Sequence, residues 1–339
     1  MKTFLWTLVV FSILAILIGG LLLLYINKMV KEPVVIDHIL CEIRYGDTAK
    51  TIAKNLHEKG VVKDELLFYL LIRHKGLDKT LKAGYYLFSG NLNMFDTLEK
   101  IVSGEILVER VTIPEGYSLF RTLKTISKSG IGDYDKLLKI ATTPQFAQDV
   151  TGFEVENIEG FLYPDTYILG YDMDEENILR AIVKNFFVRL ESGHIKITDK
   201  EQFYHDLTLA SIVEKEVMHS DEKPIIAGVF LNRLDKKLKL QACPTVTYYL
   251  EPDFLYKSVL TYSDTRNPSP HNTYVIPGLP PSPICSPPVS TIFAVQNFEK
   301  TPYLFFFADK KGRHIFSRTY AEHLRKQNDL KVGNILPEF

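Results

Sequence analysis

The apolar residues of the chain change their spacing several times, and each spacing predicts a different element. Residues 4–26 contain no charged side chain and are dominated by Leu, Ile, Val and Phe. As a helix rising about 1.5 Å per residue, this run would span roughly 35 Å, enough for the hydrocarbon core of a bilayer. A cleaved signal peptide has a shorter apolar region that ends in a small-x-small site, and this run has no such site. The run therefore predicts an uncleaved transmembrane anchor.

Alternating and helical patterns follow the anchor over about 70 residues. Asp47 or Thr48 is placed to cap a helix whose apolar face is Ile52, Ala53 and Leu56. The other predicted elements are a strand at 34–44, a helix at 64–75, a strand at 84–88 and a short helix at 95–103. This strand–helix–helix–strand order resembles the LysM-like modules that bind glycan chains. A small α+β spacer without glycan binding is the alternative.

The remainder of the chain mixes long helical patterns with short strands. The predicted elements are a strand at 109–113, helices at 175–192, 200–218 and 224–234, and a hairpin of 303–308 with 314–317. Eight prolines fall between residues 267 and 288, which predicts an ordered loop or a flap. We therefore expect an α+β protein with a transmembrane helix and linker (1–32), a LysM-like module (33–106) and a mixed helical and β domain (107–339).

Composition excludes several classes of function. A hydrophobic content of 46% and a charged content of 24% are typical of a folded globular protein, and a net charge of −1 argues against nucleic-acid binding. The three cysteines form neither a disulfide framework nor a zinc pattern, and HExxH is missing. GxxxxGK[ST], GxGxxG and GxSxG are missing as well. We expect no metal and no cofactor.

Two carboxylates in the apolar helical segment 209–217 are the best candidates for chemistry. At about 100° per residue, Glu216 falls inside the arc of apolar side chains, whereas Glu214 falls at its far edge. Neither has a Lys or Arg three or four residues away, as paired surface glutamates usually do. A carboxyl on an apolar face has a raised pKa, which is the property that a general acid needs. A solvated surface role is the alternative for both.

Two further segments, 241–248 and 271–284, carry amide, hydroxyl and aromatic groups on what we expect to be proline-stiffened loops. Such groups suit sugars, which are bound by hydrogen bonds and stacking faces. Seven motifs now stand in one order: IPEG (113–116), EGFLYPDTY (159–167), LASIVEKE (209–216), AGVFLNRL (227–234), LQACPTV (240–246), HNTY (271–274) and GLPPSPI (278–284). This ordered set resembles the YceG-like endolytic murein transglycosylases over nearly the whole chain.

The resemblance implies a bacterial enzyme at the outer face of the cytoplasmic membrane. It would cleave the MurNAc–GlcNAc β-1,4 bond of nascent peptidoglycan without water, leaving 1,6-anhydroMurNAc ends. One glutamate would serve first as acid and then as base, and the family pattern places Glu216 in that role. By the same resemblance Glu214, Asn272 and Tyr274 would bind substrate in the cleft, with Glu159 and Tyr163 beside it.

The implied substrate also orients the anchor. Lys2 precedes the apolar run while Lys28 and Lys31 follow it, so counting positive charges leaves the orientation nearly tied. A peptidoglycan substrate requires a cytoplasmic amino terminus and an extracytoplasmic catalytic part, in a single-pass inner-membrane protein. The implied partners are peptidoglycan strands, the membrane and peptidoglycan synthases.

Four positions depart from the family pattern. Cys243 stands where Asp is usual, His271 where Tyr is usual, and Ser282 and Pro288 where Gly is expected. A glycan-binding envelope scaffold with a degenerate site is therefore one alternative function. A muramidase that admits water to the same cleft is another.

Overall fold

The computed structural model describes residues 2–250 and 260–330. The chain forms two compact units, one of Met1–Glu109 with Gly170–Asp172 and the other of Arg110–Leu169 with Met173–Phe339. Helices alternate with short two-stranded sheets, which confirms the predicted α+β class.

The first unit contains two strands and four helices in the part of the chain that the structure describes. In chain order these are α1 (Lys2–Lys31), β1 (Val34–Ile43), α2 (Ala49–Glu58), α3 (Glu65–His74), β2 (Gly84–Leu92) and α4 (Met94–Ser103). β1 and β2 pair antiparallel and bury Tyr86 and Phe88. Side chains of Thr48, Asp64 and Asn93 accept backbone N–H groups at the starts of α2, α3 and α4, so local capping sets where these helices begin.

Over the described residues, the structure contains no helix with the length and apolarity needed to cross a membrane. The anchor predicted at residues 4–26 is thus not confirmed by the structure. The LysM-like character of residues 33–106 also stays a prediction, although the order of strands and helices is the expected one.

The chain continues through thirteen further strands and helices within the described residues. These are β3 (Val108–Thr112), α5 (Leu119–Lys128), α6 (Tyr134–Ala141), α7 (Pro144–Thr151), β4 (Thr166–Gly170), α8 (Glu175–Ser192), α9 (Lys200–Glu216), α10 (Lys223–Asp235), α11 (Cys243–Leu250), α12 (Val289–Gln296), β5 (Phe305–Ala308), β6 (His314–Ser317) and α13 (Tyr320–Asp329). β3 pairs with β4, and β5 with β6.

Helix α9 is the centre of the second unit. Eight of its side chains are buried, and it packs against α10, α11 and α12. The proline-rich segment is hydrogen-bonded to α9, because the Ser211 hydroxyl of that helix accepts the N–H of Ile284 at 3.0 Å. Pro283 also lies against Gly160, where an added Cβ would come within 2.6 Å of the proline ring. Two distant motifs thereby meet on the helix that carries the glutamates.

Helix α11 corrects one sequence expectation. Residues 241–248 were expected to be loop because of their polar groups and Pro244, but Cys243–Leu250 is helical. Pro244 occupies the first turn of the helix, where its missing N–H has no partner to lose and its fixed φ is already helical.

Candidate active site

Glu216 is the last residue of α9, and the chain leaves the helix directly after it. Val217 is extended, with φ −91° and ψ 128°, so the helix ends two residues before the end at 218 that the sequence predicts. The residue keeps part of its surface accessible while its carboxyl is surrounded by protein. Loss of hydration disfavours the charged form and raises the pKa of Glu216 to about 7. The carboxyl can therefore hold a proton near neutral pH.

The first residue of α11 opposes that rise. The backbone N–H of Cys243 favours the charged form of the Glu216 carboxyl and so lowers its pKa. The Cys243 Sγ lies 3.2 Å from the Tyr274 hydroxyl. Burial raises the pKa of Cys243 to about 11 and that of Tyr274 above its usual value. Both groups are neutral when Glu216 titrates, so neither charges the site.

Glu214, two positions before Glu216 in the chain, has a different environment. Its Oε2 accepts a hydrogen bond from the Lys223 Nζ at 2.9 Å and another from the Thr291 hydroxyl. The Lys223 amine also donates to Thr291 at 2.7 Å. The side chains of Lys223 and Glu214 are only 8% and 9% exposed. This buried ion pair joins α9, α10 and α12, and the geometry gives Glu214 a structural task.

Asn272 is fully buried inside its own loop. Its amide nitrogen donates to the carbonyl oxygens of Thr265 and Asn267, and its Oδ1 accepts the N–H of Tyr274. These bonds shape the segment that carries the Tyr274 hydroxyl to Cys243. Asn272 therefore helps to hold Tyr274 in place. The Asn272 side chain itself makes its described hydrogen bonds to backbone groups.

Glu159 is buried in the second unit, and Tyr163 is partly buried and packs against the core of that unit. Glu159 has no exposed surface and accepts the backbone N–H of Leu119, the first residue of α5, at 2.8 Å. Tyr163 packs edge-on against Phe186 and beneath the Arg189 guanidinium. A carboxylate at a helix start satisfies free N–H groups and favours the helix dipole, so Glu159 supports α5.

Of the six predicted site residues, the structure thus brings Glu216 and Tyr274 together, around Cys243. Glu214 is near in sequence but is held by Lys223, and the other three are bound within the fold. Sequence reasoning missed Lys223 and Thr291, because their pairing with Glu214 joins different helices and leaves no local spacing signal.

His271 contacts Tyr248 of α11 and Ser282 of the proline-rich segment. Its ring lies 4.8 Å from that of Tyr248, and its Nε2 is 2.8 Å from the Ser282 hydroxyl. Burial lowers the pKa of His271 to about 4, so the ring is neutral above pH 5. Two positions that depart from the family pattern, His271 and Ser282, therefore contact each other.

The family model described as the YceG-like family matches residues 41–329. The chain belongs to this family. The YceG-like chain is 30% identical over 328 residues to a protein of Bacillus subtilis named endolytic murein transglycosylase, covering 91% of this chain and 89% of that protein. A protein of the same name from Streptococcus pneumoniae is 27% identical over 320 residues. That match covers 85% of this chain but only 57% of the pneumococcal protein, so the chain spans little more than half its length.

A solved structure has a similar fold. The crystal structure of a YceG-like protein from Listeria monocytogenes is 32% identical in sequence and has a TM-score of 0.58. The similarity covers 86% of this chain and 99% of that one.

Proposed function

We propose that this YceG-like chain is an endolytic peptidoglycan lytic transglycosylase with Glu216 as its catalytic acid and base. The observation that carries the proposal is a carboxyl that is desolvated yet partly accessible, at the end of an otherwise apolar helix. Its pKa of about 7 gives a large protonated fraction at neutral pH, as general acid catalysis requires. The relatives named endolytic murein transglycosylase support murein as the substrate class.

The reaction needs two proton transfers through the same carboxyl. Glu216 first donates its proton to the GlcNAc O4 as the bond from that oxygen to the MurNAc C1 breaks. The Glu216 carboxylate then takes the proton of the MurNAc 6-hydroxyl as that oxygen bonds to C1, which closes the 1,6-anhydro ring. Glu216 ends protonated, water is not consumed, and no second carboxylate is required, in contrast to hydrolytic glycosidases.

The neighbours of Glu216 fit this cycle. The Cys243 N–H stabilises the carboxylate that forms after the first transfer. Cys243 and Tyr274 are neutral, so the carboxylate can still act as a base without competition from a nearby anion. A carboxylate beside Glu216 would raise the pKa of Glu216 further.

Purified full-length protein incubated with uncross-linked glycan strands tests the activity. We expect mass spectrometry of the products to show new 1,6-anhydroMurNAc ends, and Glu216→Gln to lower the rate by about 10²–10⁴-fold, the usual loss of a general acid. Glu201→Gln is the matched control, since Glu201 is an exposed glutamate in the first turn of the same helix. Reducing MurNAc ends in place of anhydro ends would instead identify a muramidase.

A second comparison separates the two glutamates. Cleavage retained by Glu216→Gln and lost in a folded Glu214→Gln protein would overturn the assignment of Glu216. A scaffold without catalysis predicts that no glycan strand is cut by the unmodified protein, and that Glu216→Gln leaves every cellular phenotype unchanged.

We also propose that α1 anchors the chain in the cytoplasmic membrane, with residues from about 28 onward outside. The support is the sequence itself, in which residues 4–26 are uncharged and mostly apolar. Placing the enzyme there gives it access to new strands close to the bilayer and to peptidoglycan synthases, with the LysM-like module holding glycan.

Charge introduced into α1 tests the anchor. Replacing both Leu14 and Leu17 with Lys adds about 2.5–3.5 kcal/mol per residue to insertion at the centre of a span. We expect the doubly substituted protein to leave the membrane fraction after a salt wash, while a Leu14→Ala, Leu17→Ala control stays. Equal membrane retention of both variants would contradict the anchor.

A further inference from the structure

The chain that leaves α9 after Glu216 soon returns to the same helix. Residues 217–222, which we call the exit loop, lead from an extended residue into a single 3₁₀ turn at Ser220–Glu222, and Lys223 then begins α10. The Lys223 Nζ donates to the Glu214 Oε2 at 2.9 Å. Glu216 therefore lies at the start of a short loop whose two ends are joined by a buried ion pair.

The far end of the exit loop is bound to strand β6. The Glu222 Oε1 accepts the backbone N–H of His314 at 3.1 Å, and its Oε2 lies 2.7 Å from the His314 Nδ1. The side chains of His314 and Glu222 are only 4% and 10% exposed. Hydrogen bonds to a carboxylate are stronger than neutral ones, and here water competes little for either partner. One residue of β6 thus holds both oxygens of Glu222.

Three further contacts join the exit loop to the turn between β5 and β6, residues 309–313. They pair Met218 with Gly312, His219 with Lys311, and Asp221 with Arg313. The Arg313 guanidinium donates to Asp221 at 2.6 Å. An added Cβ on Gly312 would come within 2.6 Å of the Met218 sulfur, so the side chain lies directly on the turn. Most residues of the exit loop therefore have a partner on the hairpin.

The hairpin is itself fixed in the second unit. The Asp309 carboxylate accepts two backbone N–H groups of the turn, at 2.7 and 2.9 Å. The His314 ring lies edge-on to Phe306 with centroids 5.2 Å apart, and Phe306 lies edge-on to Phe230 of α10 at 5.6 Å. Because Phe230 is buried in the core, the exit loop is tied to a support that is packed against α10.

We propose that Glu222 and His314 are positioning residues for Glu216, because their pair fixes the course of the loop that begins at this glutamate. The role rests on the proposed function, since it requires Glu216 to be the acid–base group. The pair acts through the backbone of residues 217–221, which joins Glu222 to Glu216. Helix ends fray where nothing holds the chain beyond them, and the exit loop holds the end of α9.

Release of the exit loop has a measurable consequence for the carboxyl. Burial is the main cause of the raised pKa of Glu216, which is about 7. If the last turn of α9 frays, water reaches the carboxyl and its pKa falls toward the ordinary value for glutamate. Loss of stability elsewhere in the unit would not change the hydration of Glu216 in the folded protein.

The stability difference between each protein and its Glu216→Gln partner reports the proton on Glu216. Other ionisable groups are present in both members of the pair, so their own contributions cancel. On α9 these are Glu214, paired with Lys223, and Lys215, whose amine donates to a backbone carbonyl. The others are Cys243, Tyr274 and His271 on neighbouring segments, with the paired groups of the exit loop and the hairpin.

Glu222→Ala in the full-length protein is the first test, since it removes both acceptors of His314. We expect the Glu216 midpoint to fall by about one pH unit, a tenfold change in its protonation equilibrium. Chemical denaturation between about pH 4 and 8.5, with and without Glu216→Gln, measures that midpoint. On glycan strands, kcat should fall by about 10–10²-fold with KM nearly unchanged, as a misplacement of about 1 Å produces.

Two milder variants remain informative if Glu222→Ala does not fold. Glu222→Gln keeps an oxygen for the His314 N–H and an amide for its ring, so it should restore most of the original midpoint and kcat. His314→Phe keeps a ring against Phe306 but loses the Nδ1, so it should lower the midpoint by less than Glu222→Ala. Because the two residues act as one pair, the Glu222→Ala, His314→Phe double variant should shift it no further than Glu222→Ala.

Glu322→Ala is the matched control. Glu322 of α13 also accepts a backbone N–H, from Arg318 at 2.9 Å, and also has a cationic partner, Lys326, at 2.7 Å. Its described bonds do not reach the exit loop. We expect it to lower stability without moving the Glu216 midpoint or the kcat for cleavage.

The stability readout keeps this proposal separate from the proposed function, since it follows the proton on Glu216 even in a protein that cuts no glycan. A midpoint that stays at its original value in folded Glu222→Ala and His314→Phe proteins overturns the positioning role, whatever Glu216→Gln does to cleavage. A shift of equal size in Glu322→Ala overturns it as well.

Discussion

At the residue scale, Glu216 combines two opposed influences on one proton. Burial disfavours the carboxylate, while the Cys243 N–H favours it, and burial is the larger because the pKa stands at about 7 against an ordinary 4.5. The neutral acid and the anion are therefore both within reach near pH 7. A solvated glutamate would be almost fully ionised there and would donate poorly.

This raised pKa predicts a pH-dependent gain in stability for Glu216→Gln. The folded protein binds the Glu216 proton more tightly than the unfolded chain, so Glu216 destabilises the fold progressively as pH rises from about 4.5 to about 7. Glutamine copies the neutral acid at every pH. In thermal melts from pH 4 to 8.5, the variant should match the original below about pH 4.5, gain stability up to about pH 7 and hold a constant advantage above it.

Glu201→Gln serves as the control for that series, since Glu201 is an exposed glutamate in the first turn of the same helix. A Glu216→Gln advantage that is independent of pH would contradict the raised pKa, even if the variant were inactive.

Cys243 supports a second prediction at this scale. Replacing its thiol with the carboxylate of Asp adds a negative charge beside Glu216, which should raise the pKa of Glu216 further. The activity decrease on the alkaline side should then move to higher pH in Cys243→Asp, whereas the neutral Cys243→Ser should leave it nearly in place. The measurement is the pH profile of anhydro-end formation. A common shift in both variants would assign the effect to lost packing.

At the scale of elements, local signals set most boundaries and long-range pairing sets the rest. The helix predicted at 175–192 is observed as Glu175–Ser192, with Asp174 accepting a backbone N–H at its start. Capping and apolar spacing lie within a few residues of each other, so the sequence alone reveals them. The helix predicted at 200–218 instead ends at Glu216.

Part of the site could also be predicted from such local spacing. The position of Glu216 among apolar side chains follows from helical spacing, and burial then follows from packing. The pairing of Glu214 with Lys223 and Thr291 depends on how α9, α10 and α12 meet, as the bond from Arg233 to Gln241 depends on the turn before α11. No spacing along the chain encodes contacts between separate helices.

The buried Glu214–Lys223 pair predicts an asymmetric pattern of stability. Glu214→Gln leaves a buried ammonium with Thr291 but without its anion, and breaking one partner of a buried pair costs about 3–5 kcal/mol. Adding Lys223→Met to Glu214→Gln removes the orphaned charge and should restore a large part of that loss. Chemical denaturation of the four proteins in this double-mutant cycle measures the coupling. Additive losses would show that the pair is not coupled in the folded state.

At the scale of the whole molecule, the two units have separate hydrophobic cores. One is built around Phe68, Ile72 and Tyr86, and the other around Leu123, Phe161 and Phe186. The residues proposed for chemistry all belong to the second unit. A protein with two cores can unfold in two steps, each with its own midpoint, and thermal melts of the full chain then report each core separately.

This organisation predicts that core damage in each unit acts on a different thermal transition. Leu123→Ala and Ile72→Ala each empty a fully buried site and should cost about 2–5 kcal/mol in the unit that holds them. In scanning calorimetry of the full chain, Leu123→Ala should lower the transition that coincides with thermal loss of cleavage activity. Ile72→Ala should lower the other one and leave the inactivation temperature near its original value. If both substitutions moved the same transition and inactivation followed both equally, the two cores would be one cooperative unit, and the catalytic part could not be treated as a separately stable body.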